Sequence, residues 1–383
     1  MVYLPRLNTL IIFLALLVLA VGGCKEMSKE GSQADQAPPD FEIVDRSEVV
    51  TAGRQGYEIF RIPVIVRAPN GDLLLFCEGR RTSSDFENID ILLFRSTGEG
   101  EWSDGTVVVD NETDTAADIA AVVHDGRVHL LYQERPGGRN FNDYLRGEAS
   151  DARGYHIYSK DSGKSWSNPV EITGDILPAS DEQLPIFGPN NGIVLDSERI
   201  VIPMYYANQS ANAWTPAVIY SDDDGKTWDR SVDAIPGAGV NETAVVQTPN
   251  DDIYAVARDN SGDVNDQKRF FRSTDRGETW TETGDLNAFV PEVSCQQSMV
   301  ARGNRLFLAT PENDSRDDGR LKTGIYDPGQ TDNVDWSDQS LHITNGGFAY
   351  SSMAIRDSTI HLVYEEKTPD RYASLKYVQV RIR

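Results

Sequence analysis

The sequence predicts an all-β fold organised as a six-bladed β-propeller. From about Phe41 onward, short runs rich in Val, Ile, Leu, Tyr and Phe alternate with Gly, Asn and Asp turns, and no long stretch carries helical periodicity. Three turns repeat one pattern, S-x-D-x-G-x-[ST]-W, at Ser159 to Trp166, Ser221 to Trp228 and Ser273 to Trp280. Their starts lie 62 and 52 residues apart, and a degenerate copy at Ser96 to Trp102 lies 63 residues before the first. Such a period has room for about four strands and signals stacked repeats, whose radial arrangement protects sheet edges. A folded region of roughly 340 residues divides into about six such units.

At the N-terminus, Arg6 precedes an apolar run from Leu10 to Val21 that ends in Gly22-Gly23-Cys24. Twelve apolar residues are too few for a membrane span, which needs about 20, and suit the core of a signal peptide. Val21-Gly22-Gly23-Cys24 resembles a lipobox, in which small residues admit the peptidase before a cysteine that becomes lipidated. Residues 1–23 are therefore expected to be a signal peptide, and residues 24–44 a lipidated Cys24 and a flexible tether. Lys25 to Asp40 has no large aliphatic side chain beyond Met27 and cannot bury enough surface to fold. Residues 45–383 are assigned to the propeller, and the chain is expected to be exported, anchored to the cell envelope of a bacterium or secreted.

The net charge of −24 argues against nucleic acid as a partner, because phosphate binding needs a basic face. Cys77 and Cys295 have no spacing that suggests a metal site or a disulfide, so both are expected as buried free thiols, with no metal or cofactor. In the repeated turns, Asp161, Asp223 and Asp275 are placed to accept backbone amides, the glycines Gly163, Gly225 and Gly277 to take positive φ, and each Trp to wedge between sheets. One carboxylate per turn is too few for a calcium loop.

The stretch from Phe60 to Ser96 reads strand, turn, strand, loop, strand, with Arg61 at the start of one strand, Arg80 at the end of the next and Asp85 in the loop that follows. Charges at strand ends are where a rigid scaffold builds a site. Phe60-Arg61-Ile62-Pro63 and Ser84-Asp85-Phe86-Glu87-Asn88-Ile89 resemble the F/Y-R-I-P and S-D-x-x-x-I segments of the sialidase (neuraminidase) family. The repeated turn matches that family's Asp box, and Gly188-Pro189-Asn190-Asn191-Gly192-Ile193 its G-P-x-x-G-I strand entry. Asn241-Glu242-Thr243 followed by a strand ending in Arg258, Arg320 shortly before Gly324-Ile325, and Ala349-Tyr350-Ser351-Ser352-Met353 complete the family's order. Arg316 competes with Arg320 for the third arginine, and the distance to Gly324 favours Arg320. The chain departs from the family pattern in the first box, which lacks its aspartate, and at Asp118 to Ala121, which lacks an Asn-Pro pair.

The resemblance implies a six-bladed exo-α-sialidase acting on sialylated glycans by a retaining mechanism. Arg61, Arg258 and Arg320 would bind the substrate carboxylate, with Arg80 as a further binding residue. Tyr350 would be the nucleophile, Glu242 its base, and Asp85 the acid. The chemistry agrees with these residue types: guanidinium groups bind carboxylates through paired, charge-assisted hydrogen bonds. A neutral tyrosine also escapes the repulsion that an anionic nucleophile would meet from a carboxylate on the anomeric carbon. Two alternatives stand beside it: a non-catalytic propeller that binds sialic acid, and a glycosidase for a different acidic sugar on the same scaffold.

Overall fold

A computed structural model describes residues 40–97, 100–237, 239–260, 268–283, 293–329, 334–369 and 371–383, all within one compact unit, Ala37–Arg383. The expected signal peptide, Cys24 and most of the tether lie outside the described residues. The first described strand, Phe41–Thr51, begins four residues before the boundary drawn from composition. Phe41 starts it because its ring is buried edge-on against Phe307 at 5.9 Å. That strand pairs with Tyr372–Ile382, so one sheet is built from both ends of the folded chain, in the order Phe41–Thr51, Tyr372–Ile382, Thr359–Lys367, Ser351–Arg356.

The all-β expectation holds, whereas the six-bladed count is corrected. Hydrogen bonding groups the described strands into five sheets: four of blade size, with four or five strands each, and one of eight strands. The propeller arrangement thus has four separate blades. Besides the sheet that joins the chain ends, these start with Glu182–Phe187, Val240–Gln247 and Ser298–Arg302. The expected first and second units instead run together. A connection through residues 110–114 brings Thr115 beside Ile89, and this parallel pair joins strand Thr115–His124 to strand Ile89–Ser96.

The three turn boxes behave as their residues dictate. Asp161 Oδ1 accepts the amides of Lys164 and Ser165 at 3.1 and 2.8 Å, and Oδ2 accepts the Ser165 hydroxyl at 2.6 Å. Asp223 and Asp275 accept from Thr227 and Thr279 in the same way. Gly163, Gly225 and Gly277 have φ of 81, 74 and 92°, and a Cβ at Gly225 would meet the His129 ring at 2.8 Å. Trp228 is buried among Ala120, Val122 and Leu131 of the eight-stranded sheet and Ile200, Ile202 and Ile219 of the next. Trp280 joins Val201 and Val218 to Val245 and Ala255 one sheet further on. The second and third boxes therefore tie neighbouring sheets together, whereas Trp166 of the first packs against Phe76 within the eight-stranded sheet, where the expected first and second units have merged.

A second recurring feature positions the site. Strands Ile59–Arg67, Thr115–His124, Glu182–Phe187 and Val240–Gln247 each carry a register shift two or three residues from their start. At those shifts stand Arg61 with Ile62 (φ 54°), Asp118 (φ 56°), Leu184 (φ 52°) and Glu242. A bulge re-aims a side chain that regular alternation would send into the sheet-to-sheet core. It also makes room for Pro63, which has no amide hydrogen to give to the ladder.

Candidate active site

The bulges, strand ends and two loops bound a cavity of about 430 Å³. Arg61, Arg80, Asp85, Glu242, Arg258 and Tyr350, all singled out from sequence, line it, as does Arg316. Arg320 does not. The third arginine is therefore corrected to Arg316, which sits in the turn before strand Asp317–Tyr326 with φ of 60°. The cavity lies at the turn end of this hairpin. Arg320 is four residues along an extended strand, about 13 Å further on at about 3.3 Å per residue, and its guanidinium is held by Asp318 at 3.0 and 3.2 Å. Spacing to Gly324 pointed to the wrong residue because it measured along the strand and not from the turn.

Each arginine is fixed by partners that leave part of its fork for the cavity. Arg61 Nε donates to Glu365 Oε1 at 2.8 Å, the same oxygen takes the Ile62 amide at 2.7 Å, and the Tyr372 ring stacks on the Arg61 guanidinium at 3.6 Å. Arg258 donates through Nε and Nη2 to Ser294 Oγ and through Nη1 to Glu242 Oε2 at 3.0 Å. Arg316 donates to the Ser294 carbonyl at 2.8 Å and to Tyr372 Oη at 3.1 Å. Burial works against the charges of Arg61 and Arg258, but nearby anionic groups outweigh it, chiefly Glu365 for Arg61 and Glu242 for Arg258, so their pKa values are raised; that of Arg316 is raised as well. They stay cationic at any working pH.

Tyr350 Oη donates to Glu242 Oε1, and Arg258 Nη1 reaches the same phenol oxygen at 3.3 Å. Burial first, and then the Glu242 carboxylate, pushes the Tyr350 hydroxyl well above the ordinary tyrosine range. The resting phenol is neutral and already aimed at a base. Opposite it, Arg80 pairs with Asp85 through Nη1 and with Glu78 at 2.6 Å through Nη2. Burial alone would raise the Asp85 pKa, yet Arg80 and then Arg61 outweigh it and hold the carboxyl below its usual range. The Asp85 side chain is 48% exposed, open to an incoming group, whereas Arg80 is buried.

Several lining or supporting residues escaped the sequence reading. Glu365 follows the run Ile360 to Tyr364, apolar but for His361, as the first charge near the end of strand Thr359–Lys367, and that signal could have found it. Asp118 faces the cavity from a bulge, its amide bound to Glu78 Oε1 at 2.9 Å; burial and then Glu78 push its pKa up to about 7. Arg135 and the helix Phe141–Leu145 form the adjoining wall, with the Phe141 ring 4.7 Å from the Arg135 guanidinium. Cys77 and Cys295 are both buried and free.

The family model of the BNR repeat-like domain matches residues 71–362. The chain belongs to this family. The resemblance to sialidases read from its motifs is borne out as well. A sialidase of Paraclostridium sordellii is 25% identical over 350 residues, covering 83% of this chain and 84% of the relative. That of Clostridium perfringens is also 25% identical, covering 82% and 88%. Among solved structures, the Hadza microbial sialidase Hz136 superposes with a TM-score of 0.75 at 22% identity, over 87% of this chain and 68% of that one. Trypanosoma rangeli sialidase in complex with sialic acid gives 0.70 at 22%, over 90% and 59%. Identities this low establish the shared fold; the chemistry rests on the side chains of the cavity.

Proposed function

We propose that this protein is an exo-α-sialidase that removes terminal sialic acids from glycoconjugates with retention of configuration. The observation that carries this reading is the neutral Tyr350 hydroxyl bonded to Glu242 in a cavity where Arg61, Arg258 and Arg316 converge. Three guanidiniums in one cavity, of which Glu365 and Glu242 each occupy only part of one fork, suit a substrate that brings a carboxylate. As Tyr350 attacks the anomeric carbon, Glu242 takes the phenol proton and Asp85 protonates the leaving oxygen. Asp85 then takes a proton from water, whose oxygen bonds to the anomeric carbon as the bond from that carbon to the Tyr350 oxygen breaks, and Glu242 returns its proton to the departing phenolate. Arg80 binds the substrate beside Asp85.

A non-catalytic binding propeller would need the arginines alone, and the Tyr350–Glu242 pair gives it no use. A neutral sugar would leave the arginines unmatched. The lipobox supports the further reading that the mature chain begins at a lipidated Cys24 and is held at the envelope of an exporting cell, which mass spectrometry of the native N-terminus tests. The enzymatic reading is tested by release of fluorophore from a fluorogenic α-sialoside, together with trapping by a 3-fluorosialyl fluoride. The expected adduct is on Tyr350; an adduct on a carboxylate overturns the mechanism, and no release overturns the activity.

A further inference from the structure

Two of the three arginines come from different sheets, Arg258 from the end of strand Ile253–Asp259 and Arg316 from the turn before strand Asp317–Tyr326. Both end on one residue that does not line the cavity. Ser294 Oγ accepts from Arg258 Nη2 at 2.9 Å and Nε at 3.2 Å, and the Ser294 carbonyl accepts from Arg316 Nη2 at 2.8 Å.

The segment carrying Ser294 is itself clamped on both sides. Next to it, Nζ of the buried Lys268 donates to the carbonyl of Cys295. Gln296, also buried, bonds the backbone of Ser351 both ways, Nε2 to its carbonyl and Oε1 from its amide, each at 2.9 Å. Ser351 follows Tyr350 in the chain. One short segment thus sets two guanidinium groups and the nucleophile's strand against each other, and a guanidinium that rotates about its flexible stem is worth less to a carboxylate than one held in plane.

We infer that Ser294 is a positioning residue: its hydroxyl and carbonyl hold the Arg258 and Arg316 forks at the separation that lets both reach one substrate carboxylate. Without the hydroxyl, Arg258 keeps Glu242 at 3.0 Å, Tyr350 at 3.3 Å and the more exposed Asn260 at 3.4 Å, and its shortest remaining bond draws it toward the base it should leave free. The inference rests on the sialidase reading and deepens it. It predicts a loss confined to recognition of the acid group.

Ser294→Ala removes the hydroxyl and keeps the carbonyl. Its KM for a fluorogenic sialoside should rise roughly tenfold, the scale of one hydrogen bond to a charged group, with a smaller effect on kcat. Binding of a 2,3-unsaturated sialic acid should weaken by a similar factor, while binding of its carboxamide stays within about twofold. Ser294→Thr, which restores the oxygen, should recover the wild-type KM. If Ser294→Ala does not fold, Ser294→Cys, close in volume but a weak acceptor, should show the same loss. An unchanged KM, or equal loss of acid and carboxamide, overturns the inference while a hydrolysing wild type leaves the functional reading standing. A wild type that releases no fluorophore overturns both.

Discussion

Replacing Tyr350 by Phe separates chemistry from binding and from folding, because the structure allows the cost of each to be worked out. The ring is buried, and its contacts with the Arg61 and Arg316 guanidiniums, at 5.3 and 5.7 Å from the ring centre, survive the change. The oxygen takes with it one hydrogen bond to Glu242 and a 3.3 Å contact from Arg258. Glu242 is not orphaned, since Arg258 still holds it at 3.0 Å. A hydrogen bond to a charged group is worth about 1.5–3 kcal/mol, and with Arg258 remaining the stability loss should fall at or below the lower end of that range. Turnover should fall by at least roughly 10³-fold, about 4 kcal/mol of transition-state stabilisation. Affinity for sialic acid should change little, because the three arginines keep their shorter bonds to Glu365, Glu242 and Ser294. The assay is steady-state hydrolysis of a fluorogenic sialoside beside calorimetric binding of sialic acid and a thermal melt. Undiminished turnover, or binding lost as deeply as turnover with the melt unchanged, would falsify the assignment of Tyr350 as nucleophile.

Three further outcomes are expected. Arg316→Lys should raise KM about ten- to hundredfold because an ammonium cannot reproduce the planar fork, whereas Arg320→Lys should stay within about twofold of wild type; the reverse order in a kinetic comparison would restore Arg320 to the site. Asp85 must be protonated to act as acid, and Arg80 and Arg61 hold its pKa down, so kcat/KM should decline as pH rises above that lowered pKa. The double variant Glu78→Gln with Arg80→Met removes a buried ion pair without stranding either charge, and should carry the alkaline limb of the pH profile upward; a limb that stays put excludes Asp85 as its origin. Finally, burial lowers His129 to about 3 and His156 to about 4, so both are neutral in the fold while the unfolded chain protonates near 6.5. The unfolded state then binds more protons, and stability should fall as pH drops below about 6.5, by up to about 1.4 kcal/mol per pH unit for each group; a melting temperature flat from pH 7 to 5 contradicts this.

Local chemistry made much of the fold legible. The aspartates, glycines and tryptophans of the boxes determine their own turn, and the burial of Trp228 and Trp280 between sheets follows from hydrophobicity, so the repeat could be read without a partner sequence. The number of separate sheets could not. It turns on the pairing of Ile89 with Thr115, a contact between strands whose residues look alike in sequence to any other strand start. Arg61, Asp85, Glu242, Arg258 and Tyr350 were legible because they occur next to motifs that mark strand ends. Arg316 was legible only as the rival of Arg320, because its reach depends on a positive φ in a turn, and neither Ser294 nor Asp118 stands in a pattern that distinguishes it from a loop polar residue.

The cavity also resolves an apparent conflict between the charge of the chain and that of its proposed substrate. A protein of net charge −24 should repel an anionic sugar. Five arginines line the cavity, Arg61, Arg80, Arg135, Arg258 and Arg316, against four carboxylates, Glu78, Asp85, Asp118 and Glu242. With Asp118 raised to about 7, it carries a proton for much of the time near neutrality, so the lining is positive by one to two charges, and by zero to one when Glu365 behind Arg61 is counted. At about 8 Å, the Debye length of physiological salt, the distant surface acids are screened, while the buried arginines act at contact range and are screened far less. Raising the ionic strength should therefore weaken the repulsion from the surface more than the attraction in the cavity. For an acidic protein that binds an anion in this way, KM should fall or hold steady as salt is added, and a steep rise would mean that the attraction of the arginines is itself screened and does not act at contact range.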